Sequence, residues 1–191
     1  MSFIKKFILS ILNSFGLLNA QNNFADLKET SIYDFSMKTL AEKDKSLADY
    51  KGKVVIIVNV ASKCGLTPQY KSLEATFKKY QEKGLVILGF PANDFLLQEP
   101  GTNSEIGEFC QKNYGVTFDM FSKITVKGPE MHPFYQFLTQ KKYNGIEDAD
   151  VKWNFQKFII DRNGKMQKIV APRSEINAPE NIEVIEKLLA Q

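Results

Sequence analysis

At 191 residues, 43% of them hydrophobic and 25% charged, the chain is long and apolar enough to close one globular core. Its 25 basic and 22 acidic side chains are interspersed and leave a net charge of only +3. Phenylalanine is abundant but not interleaved with arginine, so no nucleic-acid partner is expected.

The first twenty residues differ from the rest. Lys5 and Lys6 make a basic start, Phe7 to Leu18 is mostly apolar, and Ala20 stands before a cleavage point. Asn13 and Ser14 interrupt a run already short for a membrane span. Residues 1–20 therefore read as a cleaved export signal, and residues 21–191 as a single domain working in a periplasmic or secretory compartment. The competing readings are an uncleaved amphipathic anchor and an organelle presequence. Presequences usually carry arginine, and this stretch has none.

Beyond a polar joint, Ser31 to Leu40 alternates polar and apolar as a half-buried strand does, and Glu42 to Ser46 is a polar turn. The pair predicts a small hairpin ahead of Val54 to Val60, a β-branched run that predicts a buried central strand. That run breaks at small residues, and Cys64 follows. Pro68 with Leu73, Phe77 and Tyr80 predicts a helix over about 68–81, stopped at Gly84. Leu85 to Phe90 predicts a second apolar strand, and strand, helix, strand implies a right-handed parallel crossover. The loop Pro91 to Gly101 and the loop carrying Cys64 then share the carboxyl edge of the sheet, where sites form in open α/β folds.

Thr102 with Glu105 predicts a capping box opening a helix that carries Ile106, Phe109, Cys110 and Tyr114 and ends at Gly115. Val116 to Ile124 predicts a short extended segment. Pro133 opens a helix with Phe134, Phe137 and Leu138 inward, and Lys141 to Asp150 is polar linker. Trp153 to Ile160 predicts a strand, Asp161 to Gly164 a two-residue hairpin turn, and Met166 to Val170 the return strand. Pro179 starts a last helix with Ile182, Ile185, Leu188 and Leu189 as its buried stripe. The order implies an α/β domain of thioredoxin-like fold: a central mixed sheet flanked by helices, with an N-terminal β-hairpin.

A cysteine between a central strand and a helix start meets unpaired backbone N–H groups and the positive end of the helix, which stabilise a thiolate. Lys63 adds a cation. Three chemistries compete for Cys64. Dithiol exchange needs Cys-x-x-Cys, and the fourth position here is Thr67. A cysteine hydrolase needs a histidine base. The one histidine, His132, precedes Pro133 at a helix start, a common structural place, and no partner for it stands out. A peroxidase needs neither histidine, metal nor cofactor: the thiolate attacks a hydroperoxide O–O bond and becomes a sulfenic acid. Gln98, Trp153 and Asn154 are neutral donors on segments that the fold can bring near the thiol, and they do not titrate.

Asn59 to Thr67, Leu88 to Pro91, Gln98 to Thr102 and Trp153 to Phe155 resemble the glutathione peroxidase family in order and spacing, as do Tyr114 to Phe118 and His132-Pro133. The resemblance spans roughly residues 28–190. It implies a thioredoxin-like fold and an active-site tetrad of Cys64, Gln98, Trp153 and Asn154, with Cys64 where some relatives carry selenocysteine. The reaction implied is reduction of hydrogen peroxide and organic hydroperoxides, lipid hydroperoxides included. The loop after Phe90 departs from the family pattern at four positions. Ala92 stands where relatives have cysteine and Asp94 where they have an amide, while Leu96 and Leu97 fill a more typical glycine region.

Cys110 is a candidate resolving cysteine, since thioredoxin-using relatives carry such a thiol on this helix. The plant-type pattern places it one position along, at Gln111, and the apolar stripe that Cys110 shares favours a core role. Without it, Cys64 needs an external reductant, glutathione or a thioredoxin-like protein. The short Lys141 to Lys152 region, where tetrameric relatives carry an assembly loop, implies a monomer. A non-enzymatic redox sensor or binding module is the alternative from another functional class.

Overall fold

The computed structural model describes residues 31–191. The expected export signal lies outside the described residues. Five strands form one sheet: β3 (Val54–Val60), β4 (Leu85–Pro91), β5 (Asp119–Met120), β6 (Lys157–Ile160) and β7 (Met166–Val170), in the order β5-β4-β3-β6-β7. The sheet is mixed. β3 runs parallel to β4 over its whole length, from Val54 opposite Leu85 to Val60 opposite Pro91, and antiparallel to β6.

Every residue of β3 is buried, because both faces of the sheet are covered. Val55 and Ile57 enter one core with Phe90, Phe134 and Phe158; Val54, Ile56 and Val58 enter the other with Tyr70, Leu73, Ile106 and Ile185. Each such aliphatic side chain contributes about 1.5–3 kcal/mol on burial. Helices α1 (Tyr70–Tyr80), α2 (Asn103–Tyr114) and α5 (Pro179–Leu189) cover the second core. Helix α3 (Pro133–Thr139) covers the first. The capping box at Thr102 and Glu105 is present, and Gly115 ends α2 in the left-handed conformation, as expected from sequence.

The N-terminal hairpin is present but short, pairing β1 (Ser36–Lys38) with β2 (Asp44–Ser46). The first half of the predicted strand is instead a 3-10 turn, Ile32–Asp34, because Ser31 and Asp34 form a reciprocal capping box. The linker at 141–150 contains a short helix, α4 (Lys141–Asn144), where the buried Asn144 bonds the backbone of Leu138, Ile146 and Glu147.

The final hairpin turns over three residues rather than two. Asp161 and Lys165 still pair by backbone, and Asp161 Oδ1 accepts from the N–H groups of Asn163 and Lys165, both at 2.9 Å. That Asx turn displaces the expected Asn-Gly turn and puts Gly164 alone at φ +79°. A Cβ there would stand 2.2 Å from Ser31 Oγ and 2.7 Å from the Tyr33 ring.

Candidate active site

The carboxyl ends of β3 and β4 deliver two loops to one edge of the sheet. Beyond β3 the chain turns through Ser62 to Leu66 and enters α1 by way of a 3-10 turn, Thr67–Gln69. Thr67 ties this turn together. Its Oγ1 accepts from the Cys64 N–H at 3.0 Å and donates to the Ala61 carbonyl at 2.8 Å, while its N–H donates to the Cys64 carbonyl at 3.0 Å. The Leu66 N–H donates to Cys64 Sγ at 3.4 Å. The sulfur therefore rests on a backbone donor that the incoming turn leaves without a carbonyl, with the residue 8% exposed.

The second loop is pinned to the first by the Lys63 N–H, which donates to the Gln98 carbonyl at 3.0 Å. Asn93 Oδ1 accepts from the Glu99 N–H at 2.8 Å, and Asp94 Oδ2 accepts from the Val126 N–H at 2.9 Å. Asp94 thus serves as a backbone acceptor, a role that needs only one carboxylate oxygen. Leu96 and Leu97 are exposed and left-handed, with φ of +52° and +53°, a conformation costing about 1–2 kcal/mol per non-glycine residue.

The third contribution precedes β6. The predicted strand begins only at Lys157, and Trp153 to Gln156 is a turn with Phe155 at φ +66°. Asn59 imposes it. From β3, its Nδ2 donates to the Trp153 carbonyl at 3.1 Å, its Oδ1 accepts from the Gln156 N–H at 3.2 Å, and its carbonyl accepts from the Phe155 N–H at 2.6 Å. Backbone held by these bonds is unavailable to a sheet ladder. The turn sets the Trp153 ring against Phe95, with centroids 5.2 Å apart. It also buries Asn154 completely, and the Asn154 Nδ2 donates to Gln98 Oε1 at 3.0 Å. With its oxygen turned to Asn154, Gln98 keeps its NH2 group as a donor for the cleft.

Cys64 to Leu66, Gln98, Lys152-Trp153 and Ala171 to Arg173 line one cleft of about 640 Å³. Three segments far apart in sequence thus bring together Cys64, Gln98 and Trp153, with Asn154 bonded behind Gln98. Among the described residues, no group of three or more His, Cys, Asp or Glu side chains is arranged to hold a metal ion.

The profile of the glutathione peroxidase family matches residues 32–139. The chain belongs to the glutathione peroxidase family. It is 53% identical to a glutathione peroxidase of Lactococcus lactis, over 83% of this chain and 99% of that one. It is 52% identical to the glutathione peroxidase-like peroxiredoxin gpx1 of Schizosaccharomyces pombe, over 75% and 92%. A hydroperoxy fatty acid reductase of Synechocystis is 45% identical over 83% and 96%. Among solved structures, Trgpx in its apo form superposes with a TM-score of 0.68 at 38% identity, covering 86% of this chain and 98% of that one. A thioredoxin-family thiol:disulfide interchange protein of Chlorobium tepidum superposes at 0.60 with 20% identity, covering 86% and 99%, which places the fold as thioredoxin-like. As a glutathione peroxidase family member the protein is an oxidoreductase, a thiol peroxidase.

The other two sequence candidates lie elsewhere. Cys110 is buried in α2 as a free thiol, and burial, opposed by the Tyr70 hydroxyl and assisted by Glu99, pushes its pKa up to about 11. His132 does not line the cleft. Its Nδ1 accepts from the Phe134 N–H at 3.2 Å as the cap of α3, and burial lowers its pKa. Sequence reasoning missed Asn59 and the positive role of Thr67. The signal for Asn59 was present: it is the one polar side chain inside a strand otherwise made of valine and isoleucine.

Proposed function

We propose that the protein reduces hydrogen peroxide and organic hydroperoxides, lipid hydroperoxides among them, through a Cys64 sulfenic acid. The observation that carries this reading is the meeting of a turn-held thiol and the Gln98 amide in one cleft, with that amide oriented by Asn154. The thiolate sulfur bonds the terminal peroxide oxygen and the O–O bond breaks. The leaving oxygen takes the proton released from the thiol, giving water or an alcohol, and sulfur is oxidised by two electrons. Gln98 and Trp153 supply neutral N–H donors to the thiolate and to the leaving oxygen, and Asn154 positions Gln98.

Two external thiols complete the cycle. The first attacks the sulfenic sulfur, expelling water and forming a mixed disulfide; the second forms the departing disulfide and restores Cys64. A thioredoxin-like protein or glutathione fills this role. Cys110 is a core residue rather than a resolving one: at about 11 its pKa keeps it a thiol at neutral pH, and it is held within a helix. The cleft's volume and its walls of Leu66, Trp153, Ala171 and Pro172 suit bulky substrates, as does the name of the Synechocystis relative. We further infer one domain over residues 21–191, a monomer, and export directed by residues 1–20.

Hydroperoxide loss coupled to a thioredoxin system, or to glutathione and its reductase, tests the reading. Wild type should turn over with at least one reductant, Cys64→Ser with neither, and Cys110→Ser at close to the wild-type rate. Absence of thiol-dependent turnover in the wild type would leave the non-enzymatic sensor standing. An internal disulfide after one equivalent of peroxide, seen as a mass loss of two hydrogens, would overturn the core assignment of Cys110.

A further inference from the structure

Lys157 stands in β6 and is fully buried, the only lysine so placed among the described residues. No step of the proposed reaction uses it. Its Nζ donates to Gln69 Oε1, to the Ser174 carbonyl at 2.6 Å and to the Pro172 carbonyl at 3.2 Å. Gln69 Nε2 donates to the same Pro172 carbonyl at 2.8 Å. These acceptors belong to two segments that each contribute to the cleft, the turn that follows Cys64 and the stretch from Ala171 to Ser174. Gln69 closes the turn that starts at Cys64, its N–H donating to the Leu66 carbonyl at 2.9 Å, and Pro172 lines the cleft itself. An ammonium has three donors and no acceptor, so three acceptors saturate it.

We propose that Lys157 is a positioning residue that sets the width of the cleft. Its ammonium clamps the Ala171 to Arg173 wall to the Cys64 turn, and so governs the seating of bulky hydroperoxides without touching them. The proposal rests on Cys64 being the peroxide-reducing thiol.

The clamp is built to open with pH. Burial lowers the pKa of Lys157 to about 8, a shift that the Glu175 carboxylate partly opposes. Glu175 itself accepts from Ser72 on α1. The three direct partners, Gln69 and the carbonyls of Pro172 and Ser174, do not titrate. A neutral amine offers two N–H groups and a lone pair, and a lone pair facing a third carbonyl makes no bond. Deprotonation therefore frees one strand of the clamp, and the wall that gives a bulky peroxide its apolar contacts loosens.

Stopped-flow oxidation of the reduced protein by hydrogen peroxide and by cumene hydroperoxide, from about pH 6.5 to about 9.5, tests this. Both peroxides meet the same Cys64 nucleophile, so the ratio of the two rates isolates seating of the bulky substrate. The cumene-to-hydrogen-peroxide ratio should fall by about fivefold across pH 8, the worth of one hydrogen bond. Lys157→Met should hold the low ratio at every pH. Lys157→Arg, which keeps its charge, should hold the high one above pH 8. If neither variant folds, the wild-type profile decides alone. A ratio that stays flat with pH while both peroxides react would overturn the clamp and leave Cys64's role intact. Failure of both peroxides to oxidise Cys64 would overturn the two together.

Discussion

Asn59→Ala is the substitution that most directly separates site geometry from general stability. Asn59 is fully buried, and its side chain bonds the Trp153 carbonyl and the Gln156 N–H. Alanine removes both bonds and leaves two buried backbone groups unpaired, at about 1–3 kcal/mol each. With partial relaxation a net loss of about 3 kcal/mol is expected, lowering Tm by about 6–12 °C for a domain of this size. The freed turn carries Trp153 and Asn154, and a shift of about 1 Å at such groups costs about 100-fold in rate. Urea denaturation and stopped-flow peroxide oxidation read the two effects. Val58→Ala is the control: it cuts a buried side chain from the neighbouring position of β3 without touching the turn. It should lose stability yet keep the peroxide rate. Equal rates in Asn59→Ala and Val58→Ala would refute the claim that Asn59 holds the donors in place.

Three further outcomes are expected. Gln98→Ala and Asn154→Ala should each slow peroxide attack by about tenfold or more, and the double variant should be little worse than either, because Asn154 acts through Gln98; additive losses would separate the two. His132→Ala should cost about 1 kcal/mol through the lost α3 cap and leave the rate unchanged, whereas lost activity at unchanged stability would revive histidine-dependent chemistry. Lys157 titrates near 8 in the folded protein against 10.5 when free. Between those values the unfolded chain holds a proton that the folded chain has released, so its contribution to stability should be lowest below pH 8 and rise toward 10.5. Urea midpoints of wild type and Lys157→Met at about pH 7.5 and about 9.5 measure it; a difference between the two proteins that does not change with pH would refute the assignment.

Where a signal is local, the sequence was sufficient. The run of valine and isoleucine at 54–60 can be satisfied only by burial on both faces, so the central strand was legible. The helix over 70–80, its stop at Gly84 and the capping box at Thr102 follow from short-range sterics and hydrogen bonding. Cys64 was conspicuous because a strand end, a small-residue break and a helix start lie within a few residues of it. Gln98, Trp153 and Asn154 are legible as non-titrating donors, and the family likeness sets their order.

Most of what lay beyond the sequence is set by contacts across long separations. Asn59 and Gln156 are 97 positions apart, and the bond between them turns an expected strand start at Trp153 into a tight turn. Two departures are local instead: Ser31 with Asp34, and Asp161 with its own following backbone, overrode alternation and Asn-Gly turn preference, because one short-range signal competed with another when a side-chain oxygen met a nearby backbone donor. Lys157 is the plainest case. In sequence it is one charge in an apolar stretch. Only the folded chain supplies the three acceptors that make its burial tolerable, drawn from a turn and a wall about a hundred positions apart in sequence.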